Sequence, residues 1–295
     1  MFEVRLCREV YVKLIITADW HIRPDTPRCR KDEDWIDTQY SQMNFVADRA
    51  NEYGCPVVIV GDLFHKPNVN DLLKNLFIQV FKEIRVFAIA GNHCLPYHSF
   101  ENLNNSSIGV LFQTKVVTYP HFAAFSNFGE KVVNRGSEVL FLHEPIFASE
   151  QDCPPDMKAK TALQVFDEYP EAKWIFCGDI HRGYHVKKQG RHLIMAGCLN
   201  RQASDYIDYE PVIWYVDTET ETIERIPVPD DINMITDEHI QEKNDREDRI
   251  SAFVSQVRNS KKVTLDFENN VREALKESDL SEGAINTVNE LMEAV

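Results

Sequence analysis

The chain has 295 residues, 43% of them hydrophobic, with seven cysteines and a net charge of −15. This length suits one large domain or a domain with an appendage. No apolar run approaches the roughly 20 residues that cross a bilayer, and the cysteines are scattered without a CxxC pair. The composition therefore argues against a membrane protein, a disulfide framework and a structural zinc site, and we expect a reduced cytoplasmic protein that is no general binder of polyanions.

Strand and helix patterns alternate over the first 90 residues. Helical spacing of apolar residues predicts a helix over 35–53 that ends at Gly54, and a second helix after Asn70 as its N-cap. Short apolar runs predict strands over 11–17, 57–60 and 86–90. Strand–helix–strand alternation of this kind predicts a parallel sheet that is covered on both faces.

The pattern changes after a polar, Asn-rich loop over 100–107. A helix is predicted over 159–169. Short apolar segments lie at 114–119, 131–133, 139–142, 174–177, 184–188, 192–195, 212–216 and 222–226. These segments predict a second sheet, mostly antiparallel or mixed. The fold class that follows is α/β, with two packed mixed β-sheets flanked by helices.

Two prolines, Pro227 and Pro229, end the strand pattern. Residues 230–248 are polar and acidic and are interpreted as a linker, and three short amphipathic helices are predicted after it. We therefore divide the chain into a main domain over 1–229 and an acidic linker with a small helical module over 230–295. The module is either a cap on the main domain or a docking surface for a partner chain or DNA.

Acidic, amide and imidazole side chains follow five of the apolar runs. They are Asp19 and His21, Asp62 and His65, Asn92 and His93, His143, and Asp179 and His181. In open parallel sheets ligands bind beyond the carboxyl ends of the strands, which is where five of these residues fall: Asp19, His21, Asp62, Asn92 and His93. Their donor atoms suit Mn²⁺, Fe²⁺ or Zn²⁺, and the hard oxygen ligands favour Mn²⁺. Because there are too many donors for one ion, we expect two ions that share a bridging carboxylate, activate a water and clamp a phosphate.

The ordered motifs D-x-H, G-D, G-N-H, a lone His and D-x-H resemble those of the calcineurin-like metallophosphoesterases over roughly residues 12–229. Within that superfamily, GDLFHKP after ADWH looks most like the SbcD-type DNA repair nucleases, which pair with an SMC-like ATPase. The resemblance implies a four-layer sandwich fold, a DNA exonuclease or endonuclease activity in repair or recombination, and a dimetal-activated water as nucleophile.

The resemblance also implies a role for each motif residue. Asp19, His21, Asp62 and His181 would hold one metal, and Asp62, Asn92, His143 and Asp179 the other, with Asp62 bridging. His93 would face the phosphate and protonate or stabilise the leaving oxygen. His65 would face the phosphate, and Arg182 is the basic residue that we expect to bind substrate. Mn²⁺ is the expected metal, with Mg²⁺ or Fe²⁺ as alternatives.

Two positions depart from the family pattern. Cys94 stands where the family has an acid that orients the catalytic His, so we expect that Cys94→Asp raises turnover. Asp179 stands where the family has His, and its added negative charge favours a harder ion. These departures leave three functions open: a DNA nuclease, a phosphatase or cyclic-nucleotide phosphodiesterase for small substrates, and a non-catalytic scaffold. The expected partners are DNA and an SMC-like ATPase, with a homodimer as a further alternative.

Overall fold

Two five-stranded β-sheets form the framework of the first of two units, Met1–Thr236, in the computed structural model, which describes residues 12–133, 136–259 and 267–293. The strands are β1 (Lys13–Thr17), β2 (Val57–Val60), β3 (Val86–Ile89), β4 (Ala124–Ser126), β5 (Val139–His143), β6 (Ile146–Phe147), β7 (Lys160–Thr161), β8 (Trp174–Gly178), β9 (Tyr184–Lys188), β10 (Arg191–Met195), β11 (Val212–Asp217) and β12 (Thr222–Pro227). The helices of this unit are α1 (Trp35–Tyr53), α2 (Asp71–Phe81), α3 (Ser107–Gln113) and α4 (Ala162–Glu168).

Both large sheets are mixed. The first has the order β12-β11-β1-β2-β3, in which β1, β2 and β3 are parallel and β11 runs antiparallel to β1. The second has the order β4-β5-β8-β10-β9, and only its edge strand β9 is antiparallel to its neighbour. The prediction of a mixed second sheet is confirmed, whereas a mostly antiparallel one is wrong. The two last strands, moreover, join the first sheet.

The core is arranged in layers, because successive side chains of β1 pack into different hydrophobic clusters. Ile15 packs with α1 and α2 on the outer face of the first sheet, while Leu14 and Ile16 lie between the two sheets with Phe141 of β5. A third cluster packs α4 against the outer face of the second sheet. Each sheet residue points to the face opposite its neighbours, so one strand serves two layers. The predicted sandwich of two sheets with helices outside is confirmed.

Local signals explain why the first helices form where predicted. The Asp34 carboxylate accepts hydrogen bonds from the first-turn amides of α1, and Gly54 ends this helix with a φ of 60°. The Asn70 side chain caps α2 by accepting from the Leu73 amide. These helices cover the outer face of the parallel strands and leave the carboxyl ends of β1, β2 and β3 open.

The structure differs from the predictions at several segments. Residues 107–113 form α3, and the predicted strand segment 114–119 contributes only a bridge from Thr118 to Phe87. The predicted helix over 159–169 begins at Ala162, after the two residues of β7. The first residue of the predicted strand 11–17 lies outside the described residues.

The first compact unit extends to Thr236, and the second begins at Asp237. Asp230 belongs with the first unit because its carboxylate is buried between the guanidinium groups of Arg30 and Arg201. The expected linker is helical from Glu238 onward. The second unit, Asp237–Val295, consists of α5 (Glu238–Asn259), α6 (Phe267–Lys276) and α7 (Glu282–Glu293). None of the helices described here is long and apolar enough to cross a membrane.

Candidate metal centre

Strand ends from both sheets bring the predicted donor residues together. Four of them are almost fully buried: Asp19 is 1% exposed, His21 5%, Asp62 2% and His143 1%. Burying unpaired charged or imidazole groups in this way is costly unless they bind one another or a cation. The burial therefore marks a site rather than a set of loop residues.

The donor atoms form two groups that share the carboxylate of Asp19. Asp19, His21 and His181 each offer an atom within 4.8 Å of the others, and so do Asp19, Asp62 and His143. Asp62 belongs to the second group but also lies close to the first. Its Oδ2 atom is 3.9 Å from His21 Nε2 of the first group and 3.3 Å from His143 Nε2 of the second. The donor set thus fits two adjacent cations, with Asp62 between the imidazoles and Asp19 common to both groups.

The two remaining predicted ligands approach the second group. The Asn92 Oδ1 atom lies 3.2 Å from His143 Nε2, and Asp179 Oδ1 lies 3.7 Å from the same nitrogen. The backbone amide of Asp179 also donates to both carboxylate oxygens of Asp19. All seven predicted metal ligands therefore lie in one cluster.

The backbone at this cluster adopts left-handed conformations that non-glycine residues seldom take. The φ angles are 51° at Asp19, 46° at His21, 45° at Asp62 and 98° at Asp179. Such residues cost of order 1–3 kcal/mol each and persist where the surrounding structure enforces them. Glycines provide the room: a Cβ atom at Gly61 would overlap the His143 ring, and one at Gly91 would overlap the Asp62 carboxylate.

Hydrogen bonds fix the orientation of the donors. His143 Nδ1 lies 2.9 Å from the Val60 carbonyl oxygen, so Nδ1 carries the proton and Nε2 faces Asp62. Metal-binding histidines are commonly oriented by such a bond through the other ring nitrogen. The Gln202 amide donates to the carbonyl oxygens of Trp20 and His21 and so braces the first motif from the side.

Burial and mutual attraction shift the pKa values of the clustered groups in different directions. Burial raises the pKa of Asp19 well above its usual value, and burial lowers the pKa of His181 to about 4. Burial also lowers the pKa of His21 well below its usual value. At Asp62 and His143 burial acts against the charged forms, but their mutual attraction outweighs it, so the pKa of Asp62 is lowered and that of His143 is raised to about 10. His21, His181 and Asp62 are therefore in the neutral-imidazole and carboxylate forms that bind a divalent cation, whereas Asp19 and His143 must each release a proton when one binds.

His93 and His65 lie at the open side of the cluster. The His93 ring centroid is 4.7 Å from that of His21, and the backbone amide of His93 donates to Asp62 Oδ1. His93 Nδ1 lies 3.0 Å from the His65 carbonyl oxygen, which leaves Nε2 free of that bond. Donor atoms of His21, His65 and His93 also lie within 4.8 Å of one another. Cys94, in contrast, is fully buried in the hydrophobic core.

The expected substrate-binding Arg182 is already engaged. Its guanidinium donates to the Asp208 carboxylate and to the Asp205 carbonyl oxygen, and it lies over the Tyr206 ring. Tyr206 in turn contacts His181, with ring centroids 5.3 Å apart. The motifs gave no sign of Tyr206 or Gln202, because both lie in a segment without a recognisable ligand pattern.

The chain is similar to known proteins in sequence and in structure. The sequence profile of the calcineurin-like phosphoesterases matches residues 12–183. Among solved structures, a novel archaeal phosphodiesterase is 13% identical, with a TM-score of 0.41, 73% of this chain covered and 99% of that one. A putative 5'-nucleotidase from Staphylococcus aureus is 14% identical, with a TM-score of 0.43, 79% of this chain covered and 57% of that one. No curated protein matches the sequence. The chain belongs to the calcineurin-like phosphoesterase family.

Proposed function

We propose that the chain is a metal-dependent phosphodiesterase that hydrolyses DNA, a nuclease of the SbcD type. The observation that carries the proposal is the position of Asp62, whose carboxylate lies between His21 of one donor group and His143 of the other. Two ions on either side of one carboxylate form the arrangement that clamps the attacking and leaving oxygens of a phosphoryl group.

The proposed ligand sets extend the two donor groups, with Asp62 rather than Asp19 as the carboxylate common to both. Asp19, His21, Asp62 and His181 hold one ion, and Asp62, Asn92, His143 and Asp179 hold the other. When bound, the ions polarise the phosphate and lower the pKa of a water that becomes the nucleophile. The additional carboxylate at Asp179 favours Mn²⁺ or Mg²⁺ over Zn²⁺.

His93 is the proposed proton donor to the leaving oxygen. Its Nδ1–H donates to the His65 carbonyl oxygen, and this bond fixes the orientation of the ring. The Nε2–H is free of this bond and donates to the developing alkoxide. The His65 ring, 5.5 Å from that of His93 between centroids, is the proposed second contact to the phosphate.

One observation favours a second candidate, a phosphodiesterase or phosphatase for small substrates. Four arginines near the motifs are paired with acids: Arg23 with Asp25, Arg30 with Asp32 and Asp230, Arg182 with Asp208, and Arg201 with Asp230. Paired arginines contribute little to the basic surface that a DNA backbone requires. Exposed cations such as Arg28 and Lys66 at the same edge are the ones available to DNA.

The test is an assay of the full chain with Mn²⁺ on labelled single- and double-stranded DNA, beside p-nitrophenyl phosphate mono- and diesters. We expect cleavage of DNA by the wild-type chain. The His93→Asn variant is expected to lose this activity, and the variant His121→Asn, at an exposed residue, is expected to keep it. Ester cleavage without DNA cleavage supports the second candidate. Silence on every substrate with Mn²⁺, Mg²⁺ and Fe²⁺ contradicts an enzymatic function and leaves a scaffold.

We also propose an SMC-like ATPase as the partner of this nuclease, on the basis of the resemblance of its motifs. The second unit offers apolar side chains of α5 and α7 around one groove, among them Phe253 and Val288. Pull-down of the purified chain with an SMC-like ATPase, and light scattering of the chain alone, distinguish a heteromeric complex from a homodimer.

A further inference from the structure

The segment 203–209 lies beside the metal centre and is attached to it by several contacts. The Arg182 guanidinium donates to the Asp205 carbonyl oxygen over 2.8 Å and to an Asp208 carboxylate oxygen over 2.6 Å. The buried Tyr209 hydroxyl accepts a hydrogen bond from the Gly183 amide at 3.1 Å. Both attachment points, Arg182 and Gly183, follow His181 directly in the chain. The segment is therefore held at a fixed position relative to a proposed metal ligand.

These contacts place the ring of Tyr206 at the edge of the first donor group. The ring centroid lies 5.3 Å from that of His181, whose Nε2 is 3.1 Å from His21 Nε2. On its other side the ring faces the Arg182 guanidinium, 5.8 Å from the centroid. Tyr206 is only half-buried, so its position is enforced by these neighbours while part of the side chain remains open to a ligand.

The Tyr206 hydroxyl has no hydrogen-bond partner among the residues that the structure describes, unlike the hydroxyls of Tyr53, Tyr184 and Tyr209. A tyrosine hydroxyl stays protonated at neutral pH and is therefore a donor. The two sides of the ring are occupied by His181 and Arg182, which fixes the ring without using the hydroxyl. A donor held in this way beside an anion site is suited to an oxygen of a bound phosphate.

We propose that the Tyr206 hydroxyl donates a hydrogen bond to an oxygen of the phosphate bound at the metal centre, and that Arg182 is a positioning residue that acts through Tyr206. The inference rests on the proposed phosphodiesterase function and names one more residue that contacts its substrate. It also gives a different role to Arg182, because its guanidinium binds residues of the segment 203–209 and does not bind the phosphate.

The test compares Tyr206→Phe with the unchanged full chain, both loaded with Mn²⁺. Phenylalanine keeps the ring and removes only the donor. The readouts are the Kd of inorganic phosphate by calorimetry, and kcat/KM for bis-p-nitrophenyl phosphate. We expect both to worsen by about 10- to 100-fold, the usual effect of losing a hydrogen bond to a charged group. Tyr53→Phe, which removes a hydroxyl bonded to Glu224 outside the cluster, is the matched control and is expected to change neither.

Equal phosphate Kd and kcat/KM values for Tyr206→Phe and the wild-type chain overturn the inference, and so does a loss confined to Mn²⁺ affinity or thermal stability. If the wild-type chain binds phosphate without cleaving any diester, the proposed function fails, and the phosphate Kd values alone decide this inference. For Arg182, the measurement is a double-mutant cycle on the phosphate Kd. Arg182→Met is expected to weaken binding in the wild-type background and to add nothing to Tyr206→Phe, whereas additive effects would contradict the positioning role.

Discussion

The carbonyl oxygen of His65 lies 3.0 Å from Nδ1 of His93, so a main-chain group orients the proposed catalytic imidazole. The family pattern uses an acidic side chain directly after this histidine, and Cys94 occupies that position here. The Cys94 side chain is fully buried among apolar residues. Because the orienting partner is already present, the departure at Cys94 does not leave His93 unsupported.

This relationship reverses the expected effect of Cys94→Asp. Burial raises the pKa of the Cys94 thiol to about 12, and the nearby negative charge of Asp62 adds to the shift. A carboxyl group at the same position would be desolvated beside Asp62 at a cost of about 2–3 kcal/mol. We expect urea unfolding to show this loss and kcat not to rise, while Cys94→Ala keeps kcat within about twofold. A clear gain in kcat for Cys94→Asp would show that the carboxylate is needed.

Gly61 and Gly54 form a matched pair for testing how the cluster is held. Both have positive φ, but a Cβ atom at Gly61 would overlap the His143 ring, whereas nothing lies within 4 Å of one at Gly54. Gly54→Ala is therefore expected to cost only the backbone strain, about 1–2 kcal/mol. Gly61→Ala is expected to weaken Mn²⁺ binding by at least tenfold as well. Calorimetric titration with Mn²⁺ measures this, and equal affinities in both variants would contradict the packing of His143 against Gly61.

Asp230 tests the boundary between the two units. Its carboxylate lies 2.6 Å from Arg30 Nη1 and 2.9 Å from Arg201 Nε, and its side chain is fully buried. Removal of one partner from a buried ion-pair network costs about 3–5 kcal/mol, because the remaining charges stay desolvated. We expect Asp230→Ala to lower the urea midpoint accordingly, whereas Asp25→Ala, at a more exposed pair with Arg23, costs less than about 1 kcal/mol. A small effect at Asp230 would place residues 230–236 outside the first unit.

His192 is expected to contribute to acid sensitivity outside the metal centre. Burial lowers its pKa to about 4, and the neighbouring His185, with Nε2 3.0 Å from His192 Nδ1, adds to the shift. Between pH 6.5 and 4 the unfolded chain binds a proton at this residue that the folded chain resists, so the free energy of unfolding falls as pH falls. His192→Gln is expected to reduce this slope by at most about 1.4 kcal/mol per pH unit. Urea unfolding across this range measures it, with His121→Gln as the control, and parallel curves would contradict the shift.

Much of the fold was predictable because its signals are local. The spacing of apolar residues and the stop at Gly54 predict α1 over the residues it occupies, and the five apolar runs that end in Asp, Asn or His predict where the donors meet. Relations between distant segments were not predictable in the same way. Nothing in the local pattern shows that β11 pairs with β1, or that Asp230 lies between Arg30 and Arg201.

The residues of the site likewise divide into those that local sequence patterns indicate and those that depend on contacts between distant segments. Residue types and spacing indicate the metal ligands, because so many carboxylates and imidazoles at neighbouring strand ends have few roles other than metal binding. The partners of His93 and Arg182 depend on main-chain positions and on the fold of residues 203–209, which no spacing rule encodes. Tyr206 and Gln202 therefore emerged only from their contacts with the ligand-bearing segments.

Anomalous scattering of Mn²⁺ in crystals of the full chain shows directly whether two ions bind at Asp62. We expect two manganese peaks, about 3.5–4 Å apart, with the Asp62 carboxylate in contact with both. Asp62→Ala is expected to remove at least one peak, whereas Asp25→Ala leaves both in place. A Mn²⁺-soaked crystal without density at this cluster, or with a single ion that Asp62 does not touch, would contradict the two-ion centre on which the proposed chemistry depends.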